Sequence, residues 1–253
     1  MICAKLAAMS KISYQAQDEY GMVTVYDDGD CSILSFATND EQSRCLKAAP
    51  HILQYDYTQA MLLVLLFCQP KRVLLLGLGG GSLATALHHA VKNIHITAVE
   101  LRANVIEVAH RYFQLPRAKR LEVIQQNADD FLFNHQLRKV DVIFADLYDA
   151  SGTAEVQLRA DFIHRCADLL KEQGWLVLNC WQEQQDDPYL RSALREHFAD
   201  LRYVLTGSKN WVILAGKIAN YDANNVLREA ALHWSEKLEF SLNKHLSRLR
   251  YLE

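Results

Sequence analysis

From residue 72 to residue 181 the chain alternates short apolar runs with amphipathic stretches, and no other feature narrows its fold as much. Residues 72–78, 94–101, 121–125, 140–147 and 174–181 read as strands, and 82–91, 103–113, 129–135 and 158–171 as helices. A strand that is apolar at every position, rather than at every second one, needs cover on both faces, and intervening helices join such strands in parallel. The expected core is therefore an α/β, doubly wound sheet. Beyond it, 188–199 reads as a helix, and 201–205 and 211–217 as two strands joined by Gly207-Ser208-Lys209-Asn210. That antiparallel hairpin would bring the sheet to seven strands.

Around this core the patterns change. Residues 21–36 alternate β-formers about Asp27-Asp28-Gly29-Asp30, the signature of a hairpin with an Asp-Gly turn. Residues 57–68 have a helical pattern that Pro70 closes. Residues 222–252 read as one or two amphipathic helices, suited either to capping the sheet or to meeting a second subunit. The expected organisation is a small N-terminal β-hairpin region (1–56), a Rossmann-like domain (57–218) and a C-terminal helical extension (219–253).

Composition excludes several functions. Lys and Arg total 27 against 30 Asp and Glu, a net charge of −3 without the basic excess of a nucleic-acid binder. The apolar run at 60–68 is about half of what a bilayer-spanning helix needs, and residues 1–10 are too broken for a signal-peptide core. Cys3, Cys31, Cys45, Cys68, Cys166 and Cys180 are scattered, without metal-ligand spacing, and read as reduced small hydrophobes. A cytoplasmic chain without membrane, nucleic-acid or metal partners is expected.

The first strand runs into Gly77-Leu78-Gly79-Gly80-Gly81-Ser82 and then a helix. Glycines there let the backbone approach a ligand closely, and a helix N-terminus offers free N–H donors. Such a loop can also do no more than pack helix on strand. Glu100 ends the second strand, near the spacing at which nucleotide folds place an acid on ribose hydroxyls, although a strand-end acid can equally be a solvated surface group. Asn127-Ala128 follows the third strand, where an amide can read an adenine ring or simply start the next helix. The fourth strand delivers Asp146-Leu147-Tyr148-Asp149 to the carboxyl edge of the sheet. Two carboxylates there can hold a cationic amine and take its proton; the alternative is a helix cap or a solvated loop.

In this order the motifs resemble the polyamine aminopropyltransferases typified by spermidine synthase. The segment 146–155, DLYDASGTAE, is similar to that family's D-S-S-D-P-x-G-P-A-E, with agreement at Asp146, Asp149, Gly152, Ala154 and Glu155. By fold analogy, the seven-stranded sheet is that of the AdoMet-dependent transferases. The resemblance implies polyamine biosynthesis, with decarboxylated S-adenosylmethionine or S-adenosylmethionine as co-substrate, a small amine such as putrescine as acceptor, and a homodimer as one expected assembly. It implies that Gly77, Gly79, Gly80 and Gly81 line the donor with Asn127 and Ala128, and that Glu100 holds the ribose. Asp146 would deprotonate the amine and Asp149 help hold it, with Tyr57, Gln59 and Tyr148 on the acceptor side. The chain also departs from the family. The Asp of the loop G-G-G-D-G is Gly80 here, which removes the charge that favours a decarboxylated donor and leaves an AdoMet-dependent methyltransferase as the alternative. The acceptor-side Y-H/Q-E-M falls on Thr58-Gln59-Ala60-Met61, so a Tyr and a Glu are missing, which also motivates a non-catalytic nucleotide-binding relative. The Asp two residues past the ribose-binding acid is Arg102, and the Pro of D-S-S-D-P is Ala150.

Overall fold

The computed structural model describes residues 11–37, 40–134, 136–149, 152–153 and 155–252; the side chains at 134, 149, 152 and 153 are outside that description. Four strands open the chain: β1 (Lys11–Asp18), β2 (Gly21–Asp28), β3 (Cys31–Ser35) and β4 (Ser43–Leu46). They form an antiparallel meander in chain order. The expected hairpin is its central pair. β1 escapes the sequence pattern because it lies largely exposed, and β4 because it is only four residues long.

Next come α1 (Asp56–Met61), continued by a 3-10 turn at Leu62–Leu66, β5 (Arg72–Leu76), α2 (Ser82–Ala90), β6 (His95–Glu100) and α3 (Ala103–Tyr112). β7 (Leu121–Gln125), α4 (Ala128–Asn134), β8 (Val140–Ala145) and the small pair β9 (Tyr148–Asp149) and β10 (Gly152–Thr153) follow. The chain continues through α5 (Ala160–Leu169), β11 (Leu170–Trp181), α6 (Pro188–His197), β12 (Asp200–Leu205) and β13 (Asn210–Gly216). It ends with α7 (Asn224–Leu238), α8 (Asn243–Leu246) and β14 (Arg250–Tyr251). The main sheet has the order β14-β12-β13-β11-β8-β5-β6-β7. β11, β8, β5, β6 and β7 run parallel, and β13 enters antiparallel between β11 and β12.

The continuous apolar strands are buried on both faces, as their composition demands. Val73 and Leu75 of β5 join one core with α1, α2 and α7, while Leu74 and Leu76 join the other with α4, α5 and α6. The C-terminal extension carries α7 and α8 and adds β14 as an eighth strand of the sheet. β14 pairs with β12 beside Arg202, whose guanidinium lies between the Phe67 and Tyr251 rings, 4.5 and 4.8 Å from their centroids. A buried Asp200 carboxylate holds the same guanidinium at 2.7 Å. Two residues are too few for a periodic signal.

β5 has β6 on one side and β8 on the other, so the connections run in opposite directions from it. Open α/β sheets bind ligands outside the strand ends at such a switch point. The loops after β5 and β8 begin with Gly77 and Asp146, which places both at that crevice.

Candidate active site

Gly77 adopts φ +91, and a Cβ there would overlap the backbone carbonyl oxygen of Asp146. Only glycine lets the two loops touch. Asp146 N in turn donates to Leu76 O at 2.9 Å, fastening the β8 loop to the end of β5. Glu100, at the end of β6, turns its carboxylate onto the glycine loop: Oε2 accepts from Leu78 N at 3.1 Å and Oε1 from Arg102 N at 3.0 Å. Burial raises the Glu100 pKa, opposed by backbone N–H donors from Arg102, Leu78 and Gly79. The loop from Gly77 to Gly81, Glu100 and Asp146 thus converge on one edge, and Glu100 also braces the loop it faces.

Asp146 is the most perturbed carboxyl of this edge. Burial pushes its pKa up to about 6, against hydrogen bonds from Asn179 and Tyr57 that pull it down. Asn179 Nδ2 donates to Asp146 Oδ1 at 2.8 Å. Burial, and then the charge of Asp146, hold the Tyr57 phenol well above its ordinary value, so its hydroxyl stays a donor. A carboxyl titrating near 6 is ionised at neutral pH yet basic enough to accept a proton.

The sequence reading missed most of the shell around Asp146. Asn179 Oδ1 accepts from Asn210 Nδ2 at 3.1 Å, which turns the Asn179 amide nitrogen toward Asp146. Gln157, fully buried, accepts from Leu147 N at 3.0 Å and donates to Asn179 O at 2.7 Å. An Asn near the end of an otherwise apolar strand was the available signal for Asn179. Tyr148 meets Trp181 edge-on at 5.6 Å, and its hydroxyl accepts from Asn210 Nδ2 at 3.4 Å. Tyr57 stacks on Tyr55 at 5.9 Å, and Tyr55 donates to Glu41 at 2.7 Å. Aromatic rings and one carboxylate therefore form the side of the crevice where an ammonium gains most from π faces.

Other expected residues lie differently. Gln59 does not turn toward Asp146: its Nε2 donates to Leu53 O at 2.7 Å and its Oε1 meets His245 Nε2 at 3.1 Å. Both ends of the amide are thus engaged within the protein. Asn127 Oδ1 accepts from Asp129 N and Asp130 N at 2.8 and 3.3 Å, so it caps α4, the other role open to it. Ala128 is buried beside it. The side chain of Asp149, and residues 150 and 154 of the same motif, lie outside the described residues.

At Gly80, where the family carries Asp, the structure leaves no room for a side chain. A Cβ would lie 2.6 Å from Phe113 Cδ1 and 2.9 Å from Ser43 Cβ, and Gly80 N donates to Ser43 Oγ at 2.9 Å. Phe113 and Ser43 fill the space beside Gly80. Arg102 also has a structural partner, pairing with Asp18 of β1 at 2.8 Å and donating to Gly21 O at 2.9 Å.

Away from this edge, His51, His89 and Glu239 bring potential ligand atoms within 4.8 Å of one another. The imidazoles are stacked at 3.8 Å with planes 20° apart, so their in-plane lone pairs run almost side by side instead of converging on one point. His51 Nε2 is hydrogen-bonded to Glu239 at 2.7 Å. Five cysteines are free among the described residues, with Cys45, Cys166 and Cys180 buried, and Cys3 lies outside them. Among the described residues no helix is long and apolar enough to cross a membrane.

Known proteins are similar to this chain in sequence and in fold. A polyamine aminopropyltransferase of Neisseria meningitidis is 28% identical over 171 residues, covering 66% of this chain and 64% of its own. The chain thus spans just under two thirds of that relative's length. A structure described as a probable spermidine synthase from Corynebacterium glutamicum superposes with a TM-score of 0.76 at 18% identity, over 88% of each chain. Human methyltransferase-like protein 13, solved in complex with SAH, superposes with a TM-score of 0.65 at 20% identity, over 74% of this chain and 93% of its own. At such identities the two structures speak for the fold. The model of the spermine/spermidine synthase domain matches residues 56–207, more than half of the chain, and with the fold and edge described above the chain belongs to the spermine/spermidine synthase family.

Proposed function

We propose that the chain is an aminopropyltransferase that moves the aminopropyl group of decarboxylated S-adenosylmethionine onto a small amine such as putrescine. The observation that carries this reading is the Asp146 carboxyl, raised to about 6 and held by Tyr57 and Asn179, on a residue whose backbone touches Gly77 of the glycine loop. The amine nitrogen attacks the carbon next to the sulfonium, the carbon–sulfur bond breaks with its electron pair passing to sulfur, and the amine proton goes to Asp146. Little else is required of the protein than to align the two reactants and accept that proton. Gly77 and Gly79 bring backbone to the adenosyl side, Glu100 supplies the acid for the ribose, and Tyr57 and Tyr148 face the acceptor. Asp149 is assigned to help hold the amine.

The test is release of methylthioadenosine from decarboxylated S-adenosylmethionine and putrescine by the purified chain. Loss of that release in Asp146→Asn supports the reading; an unchanged rate removes Asp146 as base, and no release by the unaltered protein overturns the activity. A second reading, methyl transfer from S-adenosylmethionine, is favoured by the missing loop acid at Gly80. Calorimetry with both donors separates the two: tighter binding of S-adenosylmethionine supports methyl transfer.

A further inference from the structure

His245, on α8, is fully buried, and the crevice chemistry does not use it. Its hydrogen bonding fixes its state. Gln59 Nε2 donates to Leu53 O, so Gln59 presents Oε1 to His245, which must donate from Nε2. The proton is therefore on Nε2, and Nδ1 is left buried without a partner. A second proton on Nδ1 would place a charge in the interior that burial, Lys244 and Arg248 disfavour more than Asp56, 3.8 Å from Nε2, favours it, in keeping with a pKa driven down to about 4.

The same face of α1 is held at a second point. Asp56 pairs with Lys244 at 3.0 Å and Arg248 at 3.4 Å, and accepts from Gly207 N at 3.3 Å. Burial raises the Asp56 pKa, but the Lys244 bond and the Gly207 N–H more than offset it, so the net shift is downward. Between Asp56 and Gln59 stands Tyr57, whose hydroxyl reaches Asp146. A helix of six residues has little intrinsic stability, so its orientation comes from what it is tied to.

We infer that α8 and the turn after it are a positioning element of the acceptor half of the crevice: His245 through Gln59, and Lys244 and Arg248 through Asp56, set α1 so that Tyr57 meets Asp146. The C-terminal segment, absent from the matched domain at 56–207, then belongs to the working site. This inference rests on Asp146 being the base, but its central test needs no turnover.

The experiment follows the Asp146 carboxyl by carbon-13 NMR across pH in the full chain, comparing the unaltered protein with His245→Ala and His245→Gln. Tyr57 lowers the Asp146 pKa, so His245→Ala should move the titration upward by roughly one unit. His245→Gln keeps a donor near the Nε2 position and should restore it. If transfer activity is present, KM for the amine should rise about tenfold in His245→Ala, with donor Kd unchanged. A folded His245→Ala whose Asp146 titrates as before overturns the inference, as does a Gln variant that behaves like Ala. Should His245→Ala fail to fold, Asp56→Asn weakens the other tie and is read in the same way. An inactive chain that still shows the shift would sink the aminopropyl reading and leave this one standing.

Discussion

Asn179 Nδ2 lies 2.8 Å from Asp146 Oδ1, while Asn179 Oδ1 is taken by Asn210. The amide cannot flip without losing the Asn210 bond, so Asp146 always faces a donor. A neutral donor stabilises a carboxylate less than a guanidinium would, and burial prevails. The crevice thereby holds a carboxyl of raised pKa in place of a stable ion pair.

That compromise has a stability cost with a definite sign. The Asp146 pKa is raised from about 3.8 to about 6, so across this window the unfolded chain holds fewer protons than the folded one, and stability falls as pH rises. Asp146→Asn should therefore raise stability by about 1–3 kcal/mol at pH 8, with the gain disappearing below pH ~4. Urea unfolding at both pH values checks this. In the unaltered protein the transfer rate should climb through pH ~6 as Asp146 ionises, with further slope from deprotonation of the amine.

Glu100 carries two tasks at once. Its carboxylate accepts from the backbone of the glycine loop and is the acid assigned to the donor ribose. Glu100→Ala should weaken donor binding by about 1–3 kcal/mol, and the freed backbone donors should lower stability by a similar ~1–3 kcal/mol. Calorimetry and thermal unfolding report the two effects separately. Unchanged donor affinity with lowered stability would make Glu100 a brace alone.

The central sheet was legible because its inner strands carry apolar residues on both faces, a pattern few other architectures tolerate. Gly77 and Asp146 were legible as motif residues, although their contact across the switch point was not, since it is made by backbone that leaves no periodic trace. Asn179, Gln157 and Asn210 act through one another over long sequence separations, and each alone looks like an ordinary polar residue. Gln59 was expected on the acceptor side from the family segment alone, and its bonds to Leu53 and His245 join residues too far apart in sequence to leave a local signal.

Arg102 replaces a family acid and ties two parts of the molecule. It pairs with Asp18, donates to Gly21 O and lies 4.7 Å from the centre of the Phe36 ring, joining the N-terminal meander to the loop after β6. Burial raises the Asp18 pKa, but bonds from Arg102, Tyr20 N and Asn104 more than offset it, so the net shift is downward. Such a group adds stability above its unfolded pKa and loses it as pH falls through the lowered folded value. Arg102→Ala should cost about 3 kcal/mol, more than Asp18→Asn, because it also removes the bond to Gly21 O and the contact with Phe36, whereas asparagine keeps an acceptor for the guanidinium. Thermal unfolding of both variants at neutral and acidic pH measures this, and the difference from unaltered protein should narrow on acidification.

Restoring the family acid tests how deeply the donor side has been rebuilt. At Gly80 a Cβ would meet Phe113 at 2.6 Å and Ser43 at 2.9 Å, and Phe113 is packed in the small core between the meander and α3, with nowhere to retreat. Gly80→Asp alone should therefore destabilise the chain by about 2 kcal/mol or more, from overpacking and from a carboxylate forced against an aromatic ring. Phe113→Ala should itself cost about 3–5 kcal/mol through the cavity it leaves. Together the two changes should cost clearly less than their sum, since the cavity admits the new side chain. Gly80→Asp/Phe113→Ala should then favour the decarboxylated donor over S-adenosylmethionine by calorimetry, because the added charge attracts its ammonium and repels the carboxylate of the other. Additive destabilisation would show that Phe113 is not what excludes a side chain at position 80.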